Sequence, residues 1–237
     1  MLSTIMPVLG LSHNCSVSFS GLLPGFYIGE CGDSPHSFLY AADSVSYERM
    51  TTMKRLAVFF PGIGYTVDKP LMYYSRRLAE KHGFEICLLP YSGFPKKVKG
   101  DKAKMQESYK IALKQAKEML SDIDFEDYDD ILFVGKSIGT IVAAKIASKS
   151  SVQEPIRFIF YTPLEETFAF PVQDAIVFTG SADPWVEAGR IPSLCKESGI
   201  LCFVIPDANH SLETADPEQD ILTLQKIMFE TEQYMAK

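Results

Sequence analysis

From residue 56 onward, short continuous apolar runs alternate with longer amphipathic segments, and no other feature of the chain constrains its fold as strongly. The runs cover residues 56–60, 85–89, 131–134, 157–161, 175–179 and 201–205 and are bordered by Gly, Pro or Asp. Rich in Ile, Val, Leu and Phe, they have the length and content of strands buried on both faces. The segments between them repeat apolar residues at helical spacing. Residues 68–82 open with Asp68 as a cap and Pro70 in the first turn, and stop at Gly83. Residues 101–120 place Met105, Tyr109, Leu113 and Ala116 on one stripe, and residues 137–149 are mostly Ile, Val and Ala. Residues 216–235 present Ile221, Leu224, Ile227, Met228 and Tyr234 to a core. Strand and helix in alternation predict an α/β fold: a mostly parallel sheet with helices on both faces. Ligands of such a sheet bind beyond the carboxyl ends of its strands, so the loops after the runs are where chemistry is expected.

A length of 237 residues suits a single domain spanning 1–237. Residues 1–50, rich in Ser, Gly and aromatics in short alternating pieces, read as edge strands of that domain. With 46% hydrophobic and 22% charged residues, the chain has too much apolar content for whole-chain disorder. Its net charge of −7 makes it a poor nucleic-acid partner, because phosphates need a net basic face. No apolar stretch reaches the roughly 20 residues of a membrane helix, and the N-terminus has no basic residue before its apolar stretch. The expected setting is therefore cytoplasmic, with no membrane partner. Cys15, Cys31, Cys87, Cys195 and Cys202 form no C-x-x-C pair, and His13, His36, His82 and His210 are scattered. Free thiols and no metal are expected.

After the run 131–134 comes Gly135-Lys136-Ser137-Ile138-Gly139, followed by a helix of small residues. This is G-x-S-x-G between a buried strand and a helix, the context in which the serine stands on a tight turn above the sheet. Its hydroxyl then faces a helix N-terminus, where developing negative charge is favoured. A serine nucleophile needs a base, and His210 is the single histidine downstream of Ser137, in the loop after run 201–205. The base needs an acid, and Asp183 follows run 175–179; it could also cap a helix starting at Pro184. Asp207, Glu165 and Glu166 are alternative acids, with Asp207 better suited to shaping the loop. An oxyanion needs backbone donors. The N–H of Ile138, directly after the serine, is one; the N–H of Ile63, in the turn Pro61-Gly62-Ile63-Gly64 after the first run, is the other.

From about residue 56 to its end, the chain resembles the α/β-hydrolase superfamily. The resemblance rests on the order Ser137, Asp183, His210, on G-K-S-I-G, and on P-G-I-G standing where members often carry H-G-x-G, with Pro61 replacing the usual His. It implies an eight-stranded sheet and a Ser–His–Asp mechanism that uses no cofactor. Many relatives insert a helical cap before the acid; here only residues 162–174 separate two runs, so no cap domain is expected. The expected activity is that of a serine hydrolase cleaving a small or medium acyl ester or thioester. An acyltransferase, a lyase and a non-catalytic binding module are the alternatives. Tyr65, Tyr91, Phe94, Phe168, Phe170 and Trp185 lie in the strand-end loops and read first as packing, second as an acyl pocket. Lys96, Lys97 and Lys99 read first as a solvated basic loop, second as a site that could attract an anionic substrate.

Overall fold

Strands and helices alternate through the described residues, 53–152 and 155–237, of the computed structural model. Strand β1 (Arg55–Phe60) is followed by α1 (Pro70–Lys81), β2 (Phe84–Leu88), α2 (Lys102–Met119), β3 (Asp130–Lys136) and α3 (Ile138–Ala147). Then come β4 (Arg157–Tyr161), β5 (Ala175–Gly180), α4 (Arg190–Glu197), β6 (Leu201–Ile205) and α5 (Pro217–Met235). The strands form one sheet in the order β2-β1-β3-β4-β5-β6, with every neighbouring pair parallel. The described sheet thus has six strands, not the eight that the resemblance implies. The edge strands expected in residues 1–50 lie outside the described residues.

Side chains of a strand point alternately to its two faces, and the central strands separate into two cores by that rule. Leu56, Val58 and Phe60 of β1, Ile131 and Phe133 of β3, and Phe158 and Phe160 of β4 pack with Ala112 and Ala116 of α2, Val142–Ala144 of α3 and Ile191 of α4. The intervening Ala57, Phe59, Leu132, Val134, Ile159 and Tyr161 pack with Leu71 and Met72 of α1 and with Ile227 and Tyr234 of α5. Each fully buried Phe or Leu contributes about 2 kcal/mol relative to exposure, so the two faces carry most of the drive to fold.

Helix ends match the sequence in part. Asp101 caps α2 by accepting the Lys104 N–H, and Asp216 caps α5 ahead of Pro217. Asp68 caps nothing: α1 starts one residue after Lys69, whose side chain makes no cap bond, and Pro70 alone opens it. At the far end of the sheet from the predicted chemistry, Asp130 accepts two bonds from Arg157 and one from Arg55. The same guanidinium groups donate to the carbonyls of Tyr234 and Met235, which the end of α5 leaves unpaired. That network pins the C-terminal helix to the strand starts.

Three expectations about burial fail. Run 85–89, expected to be buried on both faces, forms one edge strand of the described sheet, with Glu85 exposed and Ile86, Cys87 and Leu88 half-buried. Run 201–205 is an edge strand, with Leu201 and Val204 57% and 46% exposed, because β6 has a hydrogen-bonded neighbour on one side alone among the described residues. Ile221, expected in the core, is 69% exposed on the outer side of α5. Between β4 and β5 the chain makes only a short 3-10 turn, Glu165–Ala169, in place of a cap. No described helix is long and apolar enough to cross a membrane.

Candidate active site

Strand β3 ends at Lys136 and α3 starts at Ile138, so Ser137 alone makes the turn. Its backbone has φ 54 and ψ −124, a region that side-chain-bearing residues avoid and that persists only where the surroundings enforce it. They do so through close packing. A Cβ on Gly139 would lie 2.0 Å from the Phe60 carbonyl oxygen, and one on Gly135 would lie 3.0 Å from the Thr140 Cα. Both glycines of the pentapeptide are thus steric requirements of seating α3 on β1 and β3. Ser137 N–H donates to the Tyr161 carbonyl on β4, which fixes the turn from the other side.

The residues predicted from sequence converge here. His210 Nε2 lies 2.8 Å from Ser137 Oγ, and Nδ1 lies 2.7 Å from Asp183 Oδ2. A carboxylate only accepts, so Nδ1 carries the proton, and Nε2 accepts from the serine hydroxyl. Asp183 Oδ1 meanwhile accepts the Trp185 N–H at 2.9 Å. No helix starts at Pro184, as the alternative reading of Asp183 required; a turn stands there and α4 begins at Arg190. One carboxylate oxygen orders that turn and the other holds the imidazole. The alternative acids are engaged elsewhere. Glu165 pairs with Arg190 on the surface, Glu166 lines a separate cavity, and Asp207 sits at φ 55 with its N–H on Ser181 Oγ, shaping the loop.

Burial pushes the His210 pKa below its ordinary value; the Asp183 bond opposes this, and the Lys136 and Lys99 charges add to it. The imidazole is therefore neutral at pH 7, the form that can take a proton. The Trp185 ring lies 5.3 Å from it, centroid to centroid, and shields one side.

Ile63 and Ser137 share the wall of a cavity of about 370 Å³, together with Tyr65, Lys97, Lys99, Trp185 and His210. Gly62 is held beside the serine, since a Cβ there would lie 3.2 Å from Ser137 Cβ, and its own N–H is spent on the Tyr65 carbonyl. Ile138 occupies the first position of α3, where the helix has no acceptor for its N–H, though its side chain is buried away from the cavity. Of the six loop aromatics, Tyr65 and Trp185 line this cavity. Phe170 lines a second, more apolar one of about 460 Å³ with Tyr109 and Ile141, while Tyr91, Phe94 and Phe168 pack against the core. Met105 belongs to both cavity walls.

Lys136 is the part of the site that sequence reading missed. It is 1% exposed, and its Nζ donates to Thr162 Oγ1 at 2.6 Å and to the His210 carbonyl at 2.7 Å. Thr162, itself at φ 42, passes its own hydroxyl proton to the same carbonyl at 3.0 Å. The ammonium also lies 4.9 Å above the Tyr65 ring. Burial draws the Lys136 pKa down to about 7, against the opposing charges of Asp183 and Glu213. The available signal was strand alternation, which turns residue 136 to the same inner face as Leu132 and Val134. Cys87, Cys195 and Cys202 are free thiols; Cys15 and Cys31 lie outside the described residues.

No protein-family model and no curated protein matches the chain. Solved structures do. An α/β serine hydrolase without lid from Xanthomonas campestris aligns at 12% identity over 76% of this chain and 79% of its own, with a TM-score of 0.50. An esterase from Pyrococcus furiosus aligns at 14% identity over 78% and 83%, with a TM-score of 0.52. Est1E from Butyrivibrio proteoclasticus aligns at 11% identity over 78% and 90%, with a TM-score of 0.54. At these identities the likeness is one of architecture, and with the parallel sheet and helices on both of its faces it gives this chain the α/β-hydrolase fold.

Proposed function

We propose that the chain is a serine hydrolase acting on an ester or thioester of a small or medium acyl group. The observation that carries this reading is the continuous hydrogen-bonded line from Asp183 through His210 to Ser137, at 2.7 and 2.8 Å, opening into a cavity. A structural serine has no need of a neutral imidazole and a buried carboxylate in register behind it. That solved neighbours include proteins described as an esterase and as a serine hydrolase without lid agrees with the reading.

In the proposed reaction Ser137 Oγ bonds to the substrate carbonyl carbon as its proton passes to His210 Nε2. Asp183 keeps the proton of Nδ1 in place and stabilises the imidazolium. The N–H groups of Ile63 and Ile138 receive the charge on the carbonyl oxygen, a contribution of about 3 kcal/mol per donor. Collapse of the tetrahedral species breaks the bond to the alcohol or thiol, which leaves with the proton from Nε2. A water deprotonated by the same nitrogen then attacks the acyl-Ser137 ester, and the acid departs. No step draws on a cofactor.

Turnover of p-nitrophenyl acetate and butyrate by the wild type and by Ser137→Ala tests this directly. The expected result is wild-type activity that disappears in the variant, with the butyrate-to-acetate ratio sizing the acyl pocket. Equal activity in both proteins would remove Ser137 as nucleophile.

A further inference from the structure

Resting on that hydrolase reading, we propose that the substrate carries an anionic group, a carboxylate or phosphate, which Lys97 and Lys99 bind at the wall of the Ser137 cavity. In a chain of net charge −7, the residues lining this cavity include Lys97, Lys99 and Lys136 and neither Asp nor Glu. Lys136 is committed to Thr162 and the His210 carbonyl, so it is not free for a ligand. Lys97 and Lys99 are exposed, and among the described residues neither makes an ion pair or a hydrogen bond to a protein group. Their nearest acidic neighbour in sequence, Asp101, is spent on Lys104 and the cap of α2.

The loop that carries them is held in place. Val98, between the two lysines, is 6% exposed, and its carbonyl accepts the Asp101 N–H. Gln115 of α2 clasps both the N–H and the carbonyl of Ser92. Lys97 itself sits at φ 56, in the left-handed region where a lysine is strained. The Lys99 charge also reaches His210, where it disfavours the imidazolium. Two unpaired cations on an anchored loop, facing the same cavity as the nucleophile, favour an anion there and raise its local concentration. Lys96, on the same loop, does not line the cavity.

The anion can sit on the acyl group or on the leaving group, and two substrate pairs separate these. Mono-4-nitrophenyl glutarate is compared with 4-nitrophenyl butyrate, and 3-butanoyloxybenzoate with phenyl butanoate. The expected result is a kcat/KM ratio of anionic to neutral ester of about tenfold or more in one pair at low ionic strength. That ratio should fall toward one in 200 mM salt and below one in the double variant Lys97→Glu with Lys99→Glu. Lys96→Glu, the same charge change outside the cavity wall, should keep the ratio. Ratios near one in both pairs, or a ratio that Lys96→Glu lowers as far as the double variant does, would overturn the proposal.

A second readout does not depend on turnover. Trp185 is the single tryptophan of the chain and lines the cavity, so its fluorescence reports occupancy. Glutarate should change the emission saturably, neutral glutaramide should not, and the double variant should lose the response to glutarate. A response to glutarate without any ester turnover would sink the hydrolase reading and keep the anion site. Turnover with neither response nor preference would do the reverse.

Discussion

Lys136 allows a sharp test of the site's physical chemistry. Its folded-state pKa is about 7, against 10.5 for the free side chain, because burial disfavours its charged form. Between those values the unfolded chain holds a proton that the folded chain has lost, so stability rises with pH across that window. Below pH 7 both states are protonated, and the destabilisation is full and constant. From pH 7 to 9 the folded state is titrated away while the unfolded state stays charged, at about 1.4 kcal/mol per pH unit once the folded pKa is passed. Over those two units the gain is about 2 kcal/mol. Lys136→Met removes the titration and keeps most of the volume. Urea unfolding of both proteins at pH 7, 8 and 9 should give a wild-type-minus-variant difference that rises by about 2 kcal/mol. The Cys87 thiol, raised by burial, works in the opposite direction near pH 9, but it does so in both proteins and cancels. A difference that stays flat across the three pH values would refute the buried titrating ammonium.

The pH dependence of kcat/KM for p-nitrophenyl butyrate should rise through a midpoint below 6.5, the ordinary histidine value, because burial and the nearby lysines lower the His210 pKa. Lys136→Met should move that midpoint upward by removing a repelling charge; a midpoint at or above 6.5 in the wild type contradicts this. Asp183→Asn preserves the side chain's size but not its charge or its hold on the Nδ1 proton, so kcat should drop by about 10³–10⁴ with an unchanged circular dichroism spectrum. In Gly139→Ala the new methyl meets the Phe60 carbonyl oxygen at 2.0 Å, which backbone cannot yield cheaply. Chemical denaturation should show a loss of about 3 kcal/mol or more, and a variant as stable as wild type would mean that α3 does not approach β1 so closely.

Lys136 also shows where sequence reading succeeds and where it stops. The central strands were legible because residues 56–60, 131–134, 157–161 and 175–179 are buried on both faces, and burial on both faces makes a run apolar throughout. Runs 85–89 and 201–205 read as strands of the same kind but lie at the two edges of the described sheet; how many neighbours a strand has is set by topology, which composition does not record. Ser137, Asp183 and His210 were legible for a local reason: each follows its own strand, and a parallel sheet collects all strand ends on one side. Lys136 had no such strand-end signal, only the alternation that puts it on one face with Leu132 and Val134. A charged residue reads as exposed, and its burial becomes tolerable only when Thr162, after β4, and the His210 carbonyl, after β6, converge on one ammonium. Those three residues are far apart in the chain and meet only because β3 and β4 are adjacent and β6 lies two strands beyond. The same convergence explains why the cation is worth its burial. It ties down the backbone of His210, and its charge adds to the burial that keeps that imidazole neutral.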